Sequence, residues 1–520
     1  MASRQTLKQY CVPVLVFSYK TTDRHPASAK FANTKATYSL KKALTGMVIG
    51  DIDKNINELW VCCPVLYRKA WERTYNTDSG YTKVFITQQG QLVDRAPTKQ
   101  GNVKKVLTQW KRTYTANNWQ KYAPYNNKGD FNRPYILFKH KNLLPETKES
   151  KWFKARPIAP QTKHPMSKLF HLTGRAWSFI TANLEGEHFV INSSSKVPKF
   201  FERAQEKLKP KGDLEIAISD VEGCFPSMNK DMISLGLRKL TAMITENKGY
   251  DCVYVPRRGK KPCTWSTTNK SYACIPFSVL HDVVTFVLNN TYVKDFDSNL
   301  WRQDKGIPMG DPHSPGMCIG ACAWMEHEWM QTLAPQVKDH MMIARYMDDI
   351  IRIQARCPTI DTNKLAEDFQ RSECYLPPLK LENARDDTFL ETTFKVTESN
   401  NIRYWLKNDN DIGKPQRIWR YAHFDSAMNF MQKKSVLQAC LKKVDRMASD
   451  APALYDSAIK KLSEFWHLDY PDKMLWSACT TMGVCTRDPT WFDIRDDFPY
   501  VKKDPAMRVV YRTVQRPVPR

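Results

Sequence analysis

The stretch Met341-Met342-Ile343-Ala344-Arg345-Tyr346-Met347-Asp348-Asp349-Ile350-Ile351-Arg352-Ile353 sets two adjacent acids inside a largely apolar run. It reads as a buried strand that ends in carboxylates. Two such groups amid apolar neighbours are costly to bury unless they are paired or bound to a cation. An adjacent acid pair alone is more often just a hairpin turn, so the meaning of this one depends on the rest of the chain. Upstream, Ile216-Ala217-Ile218-Ser219-Asp220-Val221-Glu222-Gly223-Cys224-Phe225 repeats the arrangement, with a strand from Glu215 running into Asp220. Asp220, Asp348 and Asp349 on neighbouring strand ends would suit two Mg2+ ions, which take oxygen ligands and keep open positions for phosphate. Between the two strands, Ser314-Pro315 has the form of a helix N-cap followed by proline at the first helical position, and Gly316 to Leu333 continues at helical spacing. Strands alternating with helices predict an α+β fold, followed by a mainly helical region from about Trp419.

These residues also resemble a known family. Asp220 to Phe225 is similar to the aspartate-x4-aromatic pattern of reverse transcriptases, and Tyr346 to Asp349 reads YMDD, a form of their catalytic box. Gly306-Ile307-Pro308-Met309-Gly310-Asp311-Pro312-His313-Ser314-Pro315 resembles their GxPxGxxxSP loop and helix start. Lys154-Ala155-Arg156-Pro157-Ile158 resembles their fingers strand, which lies near the incoming triphosphate. The four motifs stand in the family's order, and the resemblance spans about Asn132 to Ser449.

The resemblance implies a right-hand polymerase with a basic N-terminal extension: residues 1–130 as the extension, 131–212 as fingers, 213–400 as palm, and 401–520 as helical thumb and tail. It implies an RNA-directed DNA polymerase that extends a DNA or RNA primer on an RNA template with dNTPs. Two Mg2+ ions, or Mn2+ in their place, would sit at Asp220, Val221, Asp348 and Asp349, with Asp349 auxiliary. Phe225 would lie under the sugar and exclude a 2′-hydroxyl. Arg156 and Lys154 would grip the triphosphate, with Lys139 as the alternative lysine, while Met309, Gly310 and Tyr346 would line the substrate site. Within the family the MG-x-P-x-SP form of the loop, Met325-Glu326, Phe389-Leu390-Glu391 and Tyr421 to Ser426 look like Penelope-like elements, relatives of telomerase. Met309, Asp311 and His313 depart from commoner forms of the loop, and no GIY-YIG endonuclease pattern follows Arg446.

Composition agrees with a nucleic-acid partner. The 520 residues carry 79 lysines and arginines against 54 acids, a net charge of +25, which favours polyanions. The 12% aromatic content argues against a disordered basic tail. From Arg95 to Lys128 eight basic residues and no acid are interleaved with Trp110, Tyr114, Trp119, Tyr122 and Tyr125. Such rings either stack on bases or face a core. Gly316 and Gly320, one helical turn apart, either let the helix approach a template–primer backbone or pack it closely on the protein. The 14 cysteines form no CxxC pair and read as reduced, small hydrophobes. No apolar run is long enough to span a bilayer, so the expected setting is intracellular, in nucleus or cytoplasm with an organelle not excluded, and a structural RNA is a candidate partner. Two other readings compete. An RNA-dependent RNA polymerase is disfavoured by Phe225 and by MDD in place of GDD, and a non-catalytic nucleic-acid-binding relative by the three intact acids.

Overall fold

The computed structural model describes residues 42–53, 55–86, 92–93, 99–131, 133–139, 154–357, 367, 369, 374–383, 387–410, 420–426 and 428–501. The expected strand at Val12–Tyr19 and Arg385 lie outside these residues. At the centre is an antiparallel sheet of four strands in the order Met341–Tyr346, Asp349–Arg356, Asp213–Val221, Leu381–Asn383. Its middle strands carry β-branched runs that favour a pleated surface, and residues 350–355 are buried throughout. One face is covered by the helix Val197–Leu208, whose Val197, Phe201, Ala204 and Leu208 repeat at helical spacing and meet Ile351 and Ile353.

The larger core lies on the other side. Helices Ser167–Ala182, Lys230–Lys248, Phe277–Asn290 and Ser314–Thr332 pack there around Trp177, Leu237, Val284 and Cys318. The last of these helices is crowded. A Cβ on Gly316 would lie 2.7 Å from the Trp177 side chain, and one on Gly320 would lie 2.5 Å from Leu237. These two glycines therefore serve helix packing, not an approach to nucleic acid. Ser314 begins the helix instead of capping it, with Pro315 in the first turn. Its hydroxyl donates to the Pro308 carbonyl.

The boundary expected at residue 130 is not a break in packing. Strand Tyr81–Ile86 pairs with Leu300–Gln303, and Trp110, Tyr114 and Trp119 are at most 3% exposed inside the large core. The Trp110 ring sits 4.2 Å from that of His164 and 4.9 Å from that of Phe131. Tyr122 and Tyr125 pack on the same core. The aromatic half of the basic segment is thus core, whereas Lys104, Lys111, Arg112, Lys121 and Lys128 are exposed.

Beyond a three-stranded sheet ending in Ile402–Leu406, helices Phe430–Arg446, Ala451–His467, Asp472–Thr486 and Thr490–Val501 enclose a core of their own around Leu441, Leu462, Leu475 and Trp491. The first starts with a capping box between Asn429 and Gln432, and the second is capped by Asp450. Among the described residues no helix is long and apolar enough to cross a membrane.

Candidate active site

Strand register brings the three acids together. Asp349 lies opposite Asp220, and Tyr346 opposite Asp349, so Met347 and Asp348 form a two-residue turn. Met347 takes φ 57°, unusual for a side chain of its size. The Val221 amide donates to the Asp348 carbonyl at 2.9 Å, which pins the turn to the neighbouring strand end. The outcome is a cluster in which one carboxylate oxygen from each of Asp220, Asp348 and Asp349 lies within 4.8 Å of the others. A fourth acid, Glu382, is paired beside Asp220 from the edge strand; the sequence reading missed it because the strand that carries it is only three residues long. Burial, then the charges of Asp348, Asp349 and Glu382, push the Asp220 carboxyl up to about 7, while Lys139 works in the opposite direction. Three carboxylate oxygens this close together suit a divalent cation with oxygen preference.

A buried ion pair holds the turn from behind. Arg345 and Glu326 have side chains that are 0% exposed and hydrogen-bonded to each other. Arg345 also donates to the carbonyls of Met347 at 2.9 Å and Ile319 at 3.3 Å. Glu326 also accepts from the Tyr375 hydroxyl at 2.8 Å and the Phe189 amide at 2.9 Å. A buried pair is tolerated when its remaining donors and lone pairs are met in this way. An arginine within an apolar strand run was the signal for it.

The loop 306–315 joins three remote segments. The Ile307 amide donates to the Phe225 carbonyl at 2.6 Å, and the Ala159 amide to the Met309 carbonyl at 2.7 Å. Gly306 has φ +78°, and a Cβ there would sit 2.5 Å from the carbonyl oxygens of Phe225 and Pro226, so only glycine fits. Gly310 has φ +108° against the Ala159 carbonyl. The departures Asp311 and His313 are accounted for: His313 Nδ1 lies 2.6 Å from Asp311, its Nε2 lies 2.6 Å from Thr173, and the ring is fully buried. They brace the loop against the helix Ser167–Ala182.

The loop thereby sets the strand Ala155–Ile158, Met309–Gly310 and the partly buried Phe225 side by side. Arg156 makes an ion pair with Asp53 at 3.0 Å, so it is engaged by the protein rather than presented singly. Lys154 is exposed at the start of that strand, but it is Lys139, on the paired strand's end, that acts on Asp220. Tyr346 is partly exposed at the last position of its strand.

No protein-family model matches the chain, and no curated protein matches it. Among solved structures it is similar to the telomerase of Candida albicans in complex with the TWJ fragment of telomeric RNA, at a TM-score of 0.52 and 11% identity over 93% of this chain and 76% of that one. The fold is that of a palm polymerase. Lower scores relate it to apo telomerase from Candida tropicalis (TM-score 0.46, 12% identity, 89% and 70% coverage) and to the Sicinivirus 3Dpol RNA-dependent RNA polymerase (0.37, 12%, 76% and 74%). Within this polymerase fold the acid cluster lies at strand ends of the central sheet, and the loop 306–315 meets the segment Phe225–Met228 that follows one of those strands.

Proposed function

We propose that the chain is a reverse transcriptase, a nucleotidyltransferase that extends a primer 3′ end with dNTPs on an RNA template. The observation that carries this reading is the meeting of Asp220, Asp348 and Asp349 at the end of the central sheet, with Phe225 five residues along on the same strand exit. In this reading 131–212 are fingers, 213–400 palm and 401–520 thumb, and the chain is a Penelope-like retroelement enzyme acting inside the cell, a branch supported by the form of its loop.

Asp220, Asp348 and the Val221 carbonyl would hold Mg2+, with Asp349 auxiliary and Mn2+ as a substitute. When bound, the ions lower the pKa of the attacking hydroxyl and neutralise charge on the leaving pyrophosphate. The protein's own residues do the rest. Arg156, on exchanging Asp53 for the triphosphate, binds it bidentately and Lys154 binds it as a point charge, with Lys139 sharing the task. Met309, Gly310 and Tyr346 form the walls against which base and sugar are set. The Phe225 ring closes the space a ribose 2′-hydroxyl would need, so selection for deoxyribose is steric. The test is primer extension by the purified protein on RNA and DNA templates, with dNTPs and with rNTPs. Extension of an RNA-templated primer by dNTPs supports the reading, and incorporation of rNTPs alone would replace it with an RNA polymerase.

A further inference from the structure

Three cysteines from two distant segments of the sequence meet in the interior. Cys318 and Cys322 stand four residues apart on one face of the helix Ser314–Thr332, and Cys224 comes from the turn that follows the Asp220 strand. Each is at most 2% exposed. Their sulfurs all lie within 4.8 Å of one another, with Cys224 and Cys318 at 3.5 Å. All three are reduced, and 3.5 Å is well beyond the bonded S–S length of about 2.05 Å.

We propose that these three thiols form a structural metal site for a thiophilic d10 cation, Zn2+ or Cu+. With metal–sulfur bonds of about 2.3 Å, three sulfurs around one ion stand about 4 Å apart, inside the range already present before any ion enters. Soft thiolates select such ions over the hard Mg2+ of the acid cluster, so the two sites would not compete for metal. Loading releases one proton from each thiol and transfers no electron. With Zn2+ the trithiolate keeps one net negative charge, and Arg345 lies close enough to act on both Cys318 and Cys322. The site would tie the loop helix to the turn that bears Phe225, one residue beyond Cys224. The proposal does not depend on the polymerase reading.

The experiment is elemental analysis of the full chain purified without chelator from cells supplemented with zinc or copper. About one equivalent of one of these metals per chain is expected, and which metal is found identifies the ion. X-ray absorption of the wild type should show three sulfur neighbours at about 2.3 Å. Cys318→Ser and Cys322→Ser should lose the metal, whereas Cys479→Ser, buried among the C-terminal helices, should keep it. Chelation should speed hydrogen exchange across residues 220–228. A wild type without metal, a coordination shell of nitrogen or oxygen, or equal metal in the cluster variants and the Cys479 variant would overturn the proposal. Because the stoichiometry and absorption are read on the wild type, a variant that fails to fold does not blunt the test.

Discussion

Asp220 is the residue on which chemistry and stability meet. Burial and the neighbouring acids push its folded carboxyl up to about 7, from an ordinary 3.8. Between those values the native state holds a proton that the unfolded chain has lost, so stability should fall as pH rises across that window and level off above it. Mg2+ held there as proposed would relieve the same repulsion, so its stabilising effect should be larger at pH 8 than at pH 6, where protons compete for the site. Melting temperatures at the two pH values, with Mg2+ and with EDTA, read this directly; an equal Mg2+ shift at both would contradict it. Asp220→Asn should flatten the pH dependence. In primer extension, Asp220→Asn and Asp348→Asn should each lower incorporation on the order of 100-fold or more, because an amide is a poor Mg2+ ligand, while primer–template affinity stays near wild type. Phe225 makes a separate claim. Phe225→Ala should raise the use of rNTPs relative to dNTPs by at least about tenfold, on a steric scale of about 1 to 3 kcal/mol. An unchanged ratio of kcat/KM for GTP and dGTP, with only a lowered melting temperature, would make the ring ordinary core.

At the level of elements, the acid-bearing hairpin is tied by side chains to the helix Ser314–Thr332 that precedes it in the chain. Arg345 joins the strand Met341–Tyr346 to Glu326 on the loop helix and reaches the Met347 carbonyl. Glu326→Gln leaves a buried guanidinium short of its counter-charge and should cost about 3 to 5 kcal/mol of stability. Replacing both partners with apolar residues, Glu326→Leu with Arg345→Met, should restore most of that stability. Activity should be low in the double variant, because replacing Arg345 takes the donor from the Met347 carbonyl. Thermal unfolding alongside primer extension separates the two effects, and recovery of both together would reduce the pair to a stability device. This element was half legible in the sequence. The strands announced themselves as apolar runs ending in acids, and the loop by its glycines and prolines. The partners Glu326, Tyr375 and Thr173 were hidden, since a polar group buried by tertiary contact leaves no periodic trace. The aromatics from Trp110 to Tyr125 stayed open between two readings for a related reason. Helical spacing of rings describes a core face and a stacking face equally well, and only the neighbours Phe131 and His164 decide between them.

For the whole molecule, the net charge of +25 predicts that primer–template binding weakens steeply with salt. Each phosphate neutralised should add about 0.7 to 0.9 to the slope of log K against log salt. Deleting the segment that carries Lys104, Lys111, Arg112, Lys121 and Lys128 would remove part of the core, so charge is the better lever. Glutamine at Lys111, Arg112 and Lys121 should flatten the slope without lowering the melting temperature; an unchanged slope would place the nucleic acid on another face. The strand Tyr81–Ile86 bears on synthesis as well. Its Tyr81 hydroxyl donates to Gln303, 222 residues further on. At about 5 to 20 residues per second, a ribosome needs roughly 10 to 45 s to deliver that partner. For that interval the nascent chain carries a strand edge without its partner, beside Trp71, whose ring contact Trp301 is also still to come, so the early product is a natural client for chaperones. A transcript truncated before residue 300 would yield aggregate rather than a smaller soluble domain.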